Sequence, residues 1–211
     1  MGDRTGDDIY ISPKYKIEQW KALDLDPDNP NQNDWNTAVD ILDDRITERF
    51  LKPAQYLINA PVEGSLPTFG FAILALDFLV IETIQGFRDG RVDHKWHSTR
   101  LFTEFCADWE EFSHCLQNPL TAKDDGKLLY EQGRCALHHS GTTDRLTVGV
   151  TGKMITFNDD HTIRINRTEF HEQLVERFKQ YLNELRDPRS IDLRRNFKRK
   201  MNSICGMEFE D

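Results

Sequence analysis

Near the middle of the chain the sequence reads Arg134-Cys135-Ala136-Leu137-His138-His139, followed by Ser140-Gly141-Thr142-Thr143. An arginine is a permanent cation that offers phosphate oxygens a planar fork, and a histidine exchanges a proton near neutral pH. Sharing one site, Arg134 and His139 would supply the charge stabilisation and proton transfer needed to cut a phosphodiester without a metal. On a continuous helix two residues five apart are turned roughly 140° from each other. The pair therefore needs a helix that ends between them, and Gly141 is well placed to terminate one, with Ser140 beside it, letting His139 swing toward the face bearing Arg134. A structural reading stands beside this one, because arginine and histidine in the last turn of a helix complement its dipole and need no further role. His138 and His139 point in different directions, so at most one of them shares a site with Arg134.

Glu82 is the second informative residue, set in Leu79-Val80-Ile81-Glu82-Thr83-Ile84 on a helix apolar all round. A buried carboxylate requires a cationic or hydrogen-bonding partner. Arg45, Arg49 and Arg134 are the candidates, and the partnership is either an ion pair between helices or a device that orients a catalytic arginine. Asp77 lies in the same run and is less telling. The chain carries no Gly-rich phosphate loop, HExxH pattern or GxSxG elbow. His94, His97 and His114 lack the companions of a metal site, and Cys106, Cys115, Cys135 and Cys205 lack zinc spacing and read as reduced core thiols. No metal and no cofactor is expected.

The elements that must position these residues follow from periodicity. Ser12-Pro13 opens a short helix through Trp20 and Leu23, and the Asp, Pro and Asn-rich stretch 24–33 reads as a loop. Asp34 is placed as the cap of a long helix to about Ile58, kinked or split by Pro53. An apolar helix from about Thr68 to Phe87 follows. A third, capped by Ser98, runs to Asn118-Pro119, and a fourth spans about Lys127 to His138. The period then changes to alternation at Leu146, Val148, Val150, Ile155, Phe157, Ile163 and Ile165, which predicts an antiparallel meander over 145–166. A fifth helix capped by Asn166 or Thr168 carries Phe170, Leu174, Phe178, Tyr181 and Leu185 on one face. Beyond Pro188 the chain turns basic, with Arg194, Arg195, Lys198 and Arg199 on an amphipathic segment whose cationic face suits RNA, though a charge run also serves as a solvated face.

The 211 residues, 38% hydrophobic and 30% charged, fit one globular domain with elaborations. A net charge of −9 argues against a general nucleic-acid coat protein, because backbone binding relies on Lys and Arg. The apolar run from Phe69 to Ile84 is interrupted by Asp77 and Glu82, so it reads as a core helix rather than a membrane span. The N-terminus has no basic segment followed by an apolar one, and a cytoplasmic location is expected.

Arg134-x4-His139 at a helix end resembles the HEPN superfamily, whose signature is an arginine, four to six residues, then a histidine. The wider blocks carry the resemblance further: Asp44-Arg45-Ile46-x-x-Arg49-Phe50, Gly70-Phe71-Ala72-Ile73-Leu74-Ala75-Leu76, Ile81-Glu82-Thr83 and Gly133-Arg134-Cys135-Ala136-Leu137-His138-His139. They look like those of stand-alone bacterial HEPN-like proteins, over roughly residues 35–185. The resemblance implies a mainly α fold, a HEPN-like bundle of about five helices with a small antiparallel β meander inserted before the last long helix. The chain itself reads as an N-terminal extension 1–32, a helical domain 33–187 and a basic helix or tail 188–211, of which the resemblance leaves the extension and the tail unexplained. It implies a homodimeric, metal-independent endoribonuclease, a toxin or phage-defence protein with an antitoxin or defence-system partner, in which His139 moves the proton and Arg134 stabilises the phosphorane. Glu82, Arg45, Arg49, His138 and Ser140 would support them. The alternative is a non-catalytic HEPN-like module that binds RNA, a nucleotide or a protein partner. Two departures matter: Cys135 stands where Asn, Asp or His often follows the arginine, and Gly141 stands where one toxin subgroup has a modified tyrosine.

Overall fold

A computed structural model describes residues 9–61, 69–93, 95–140 and 143–207, with Ser140 described by its backbone. The protein is mainly helical, with a small three-stranded sheet ahead of its last two helices. It divides into two compact units, one formed by Met1–Arg49, Gly86–His94 and Phe178–Asp211, the other by Phe50–Gln85 and Lys95–Arg177.

In the first unit, α1 (Ile17–Lys21) is preceded by Ser12-Pro13 rather than opened by them. Ser12 donates instead to the buried carboxylate of Asp44 at 2.6 Å. The next helix, α2 (Gln32–Ile46), is capped by Asn31 and not by Asp34: the Asn31 side-chain oxygen accepts from the N–H groups of Asn33 and Asp34. Asp34 accepts the N–H of Asp24 and so fastens the preceding loop. The chain continues through a π turn, Thr47–Leu51, into α3 (Lys52–Asn59), which belongs to the second unit and has Pro53 in its first turn. Proline lacks an N–H and crowds the carbonyl four residues back, and the widened turn absorbs both defects without breaking the helix.

The last helix of this unit, α10 (Ile191–Ile204), explains the basic tail. Phe197 packs against Trp20, Trp35 and Phe87, with centroids 5.6 to 6.4 Å away. Around it, side-chain donors serve carbonyls at or just beyond helix C-termini. Arg194 donates to the carbonyls of Leu185 and Arg186 and to Gln32, and stacks over Trp35 at 4.6 Å. Asn196 donates to the carbonyl of Arg88 and Lys200 to that of Arg91. Gly90 has φ +63, and a Cβ there would lie 2.8 Å from Asn196, so the turn requires glycine.

In the second unit, α4 (Gly70–Arg88) contributes Ile73, Leu74, Phe78, Val80, Ile81 and Ile84 to the core. It is long and apolar enough to cross a membrane by composition, yet two thirds of its apolar window, 67%, is buried within the protein. The helix expected over 98–116 is broken: α5 (Ser98–Ala107) follows His97, and α6 (Glu110–Ser113) follows a turn at Asp108. The break lets Trp109 insert among Phe105, Phe112 and Phe170. The apolar period runs through the turn, which is why the sequence conceals it. After a 3₁₀ turn come α7 (Ala122–Leu129), a π segment Tyr130–Cys135, and α8 (Ala136–Ser140).

The sheet consists of β1 (Leu146–Gly149), β2 (Ile155–Phe157) and β3 (Ile163–Asn166), in the order β1-β3-β2. It is not the antiparallel meander expected from alternation. β2 and β3 pair antiparallel, Ile155 opposite Ile165, but β1 lies parallel on the other edge of β3, Leu146 opposite Ile163. Alternation fixes which side chains face the core and leaves strand direction and partner open. Asn166 then caps α9 (Arg167–Arg186), accepting the N–H groups of Thr168 and Glu169.

Candidate functional site

Arg134 lies in the π segment between α7 and α8. Such widened turns inside helices recur at functional positions because they reset the faces on either side. Gly133 fixes this one in place: a Cβ there would stand 2.9 Å from the Phe78 ring and 3.1 Å from Leu146, so glycine alone allows the close approach. Arg134 reaches Glu82 on α4, Nε to Oε1 at 2.5 Å and Nη2 to Oε2 at 3.5 Å. The guanidinium also lies 5.6 Å from the centre of the Tyr130 ring. Burial alone would lower the arginine's pKa, but the hydrogen bond and charge of Glu82 outweigh it and raise it. The side chain of Arg134 keeps 20% exposure while that of Glu82 keeps 7%, so the arginine reaches solvent and the carboxylate does not. Beside them the Tyr130 hydroxyl has its pKa raised, mainly by burial, with Thr99, Cys135 and Arg134 near enough to modulate it.

The remaining sequence candidates are distributed as follows. Among the three arginines proposed for Glu82, Arg134 is the partner. Arg45 belongs to the other unit, where it donates to the carbonyl of Ile11, and its pKa is lowered by burial and by the charge of Arg49. Arg49, half-buried, belongs to that unit as well. His138 and His139 are exposed on α8. The helix runs on through Ser140 instead of ending between Arg134 and His139, so the two are not turned toward each other within the chain; the stop expected at Gly141 lies outside the described residues. Among the described residues no hydrogen bond or ion pair links either histidine to Arg134 or Glu82.

The basic face is also partly spent. Arg194 is fully buried and bound to carbonyls, so it does not face an RNA strand. Arg195 is paired with Asp28 at 2.6 Å and with Asp192 at 3.3 Å. Lys198 is half-buried and Arg199 exposed. The four cysteines are unpaired, and among the described residues no group of three or more His, Cys, Asp or Glu side chains is placed to hold a metal.

One buried pair escaped the sequence reading. Asp77 of α4 and His171 of α9 meet at 2.8 Å between Oδ1 and Nδ1, with side-chain exposures of 0% and 1%. Burial raises the Asp77 pKa, an effect its hydrogen bond and charge interaction with His171 reduce. Asp77 Oδ2 and His171 Nε2 have no partner. The available signal was an aspartate inside the most apolar run of the chain, which needs a partner as much as Glu82 does. His171 stands one residue beyond Phe170 in the apolar stripe of α9, where it reads as an edge position. No family model, curated protein or solved structure matches the chain.

Proposed function

We propose that the protein is a metal-independent endoribonuclease of HEPN type that acts as a homodimer in the cytoplasm, as a toxin or phage-defence effector. The observation that supports this most is the setting of Arg134: a guanidinium steered by a buried Glu82 through two of its nitrogens, still open to solvent, with exposed His139 on the next turn. Because one chain does not bring Arg134 and His139 together, the reading requires two copies whose α8 segments face one another. In such a cleft His139 takes the ribose 2′-OH proton and the 2′-oxygen attacks phosphorus. The bond to the 5′-oxygen breaks and that oxygen is protonated, leaving a 2′,3′-cyclic phosphate and a 5′-hydroxyl. Arg134 carries the charge that builds on the phosphorane oxygens.

The test is cleavage of RNA in EDTA by wild type and by His139→Ala at equal folded concentration. Loss of about 100-fold or more is expected for removal of a general acid or base. Equal cleavage by both proteins removes the assignment.

The second reading, a non-catalytic module that binds RNA, a nucleotide or a protein partner, is favoured by the burial of Glu82 against Arg134. It expects no RNA cleavage under any condition and a fold that loosens when Arg134 is truncated.

A further inference from the structure

Arg167 opens α9, and within the second unit α9 runs beside α4. His171 bonds Asp77, and the rings of Phe170 and Phe78 lie 5.9 Å apart. Nearer the start of α9, Cδ of Arg167 comes within 3.8 Å of the place a Cβ on Gly70 would occupy. From Gly70 and Arg167 to Asp77 and His171 the contacts advance along both helices, so the two N-termini lie at one end of the unit.

Three positive features lie at that end: the N–H groups of the first turn of α4, which have no carbonyl partner within the helix, the positive end of α9, and Arg167. Side-by-side helix dipoles pointing the same way repel, and a cation in a helix's first turn faces an end of its own sign. Yet Arg167 is only 4% exposed, its Nε and Nη1 are buried without partners, and among the described residues no carboxylate pairs with it. Burial accordingly lowers its pKa. Asn166 already serves two N–H groups of α9, and Glu169 stands in its first turn with its carboxylate accepting from Gln173, so what this end leaves unmet is the Arg167 guanidinium. Gly70 lets β1 pack closely against α4, since a Cβ there would lie 2.6 Å from Val148, and Phe71 and Ala72 are exposed on the first turn of α4.

We propose that the N-terminus of α4 and Arg167 form a binding site for a phosphoryl group, with Nε and Nη1 of Arg167 on two of its oxygens and first-turn N–H groups of α4 on a third. A tetrahedral oxyanion presents acceptors toward the arginine fork and toward the helix at once, whereas a planar carboxylate turns both oxygens to the fork. The site contains neither Arg134 nor His139, so it stands or falls separately from the ribonuclease reading.

The experiment uses the full chain in chloride buffer at fixed ionic strength. Inorganic phosphate is titrated by calorimetry and by thermal unfolding, with acetate as control. Saturable binding is expected, with a Tm that climbs with phosphate concentration. Affinity should fall at least tenfold in Arg167→Gln and stay unchanged in Lys123→Ala, a change at an exposed lysine outside both sites. Should Arg167→Gln fail to fold, Arg167→Lys, which keeps the charge and loses the fork, carries the same comparison. Adenosine monophosphate and a short RNA then identify the source: tighter binding of the nucleotide assigns a phosphomonoester, and displacement of phosphate by RNA assigns a backbone phosphate. No saturable phosphate binding, equal binding by acetate, or equal affinity in the Arg167 variants overturns the proposal.

Discussion

Arg134 and Arg167 sit in the same unit and both approach α4, yet their charges are handled in opposite ways. Arg134 meets a carboxylate from that helix and remains in touch with solvent. Arg167 is more deeply buried, lies at the helix end of like sign, and has two donors without partners. An arginine balanced inside the chain can be explained by the fold alone. One left unbalanced by the fold asks for a ligand. In the sequence Arg134 stands out by its neighbours His138 and His139, but Arg167 poses the sharper electrostatic question.

The largest effect expected in this unit belongs to the third buried charge site, Asp77 with His171. Asp77→Ala or His171→Ala strands its partner in the core and should cost about 3–5 kcal/mol in denaturant unfolding, whereas replacing both with apolar residues should recover much of the loss. A cost near zero for the single changes would mean that the pair is not cohesive. Glu82→Leu comes next, at about 2–3 kcal/mol, less than a fully buried pair because a fifth of the Arg134 side chain meets water. A double-mutant cycle with Arg134→Leu measures the coupling directly.

In the other unit, Lys200 provides a pH-dependent contrast to these pairs. Burial and the nearby charge of Arg45 depress its pKa to about 8 from 10.5, despite the opposing charge of Asp93. Between those values the unfolded chain binds the proton and the folded protein does not, so stability from this group rises with pH. The penalty is present in full below pH 8 and is relieved by about 2 kcal/mol between pH 8 and 10. Lys200→Met should remove that slope in unfolding measured across the window; an unchanged slope assigns it to other groups. The smallest effect is a difference of sign. In buffer without oxyanions Arg167→Leu should be neutral or stabilising by about 1 kcal/mol, because it removes an unbalanced buried charge, while Arg134→Leu destabilises. Destabilisation by both would dissolve the contrast between them.

The long helices were legible because their apolar residues recur with the helical period, and α4 and α9 begin close to where composition placed them. The cap at Asn166 was legible for the same local reason. Periodicity did not reveal the break at Asp108, since apolar residues continue across it, nor the parallel pairing of β1 with β3, since alternation carries no direction. Of the site, Glu82 was legible as a carboxylate that needed a cation, but choosing Arg134 over Arg45 and Arg49 required the fold. The basic run beyond Pro188 misled because charge in a sequence looks the same whether it meets water or the carbonyl end of a helix. Arg194 does the latter.

By itself, then, the sequence determined the helical class, the apolar faces and the requirement that Glu82 be compensated, because these follow from local spacing and from the cost of burying charge. Tertiary structure decided which charges compensate one another and which do not. Arg134 with Glu82, Asp77 with His171, and Arg167 alone are matters of distance and access between segments far apart in the chain, and the electrostatic energy of a group depends on those distances and on the water they exclude.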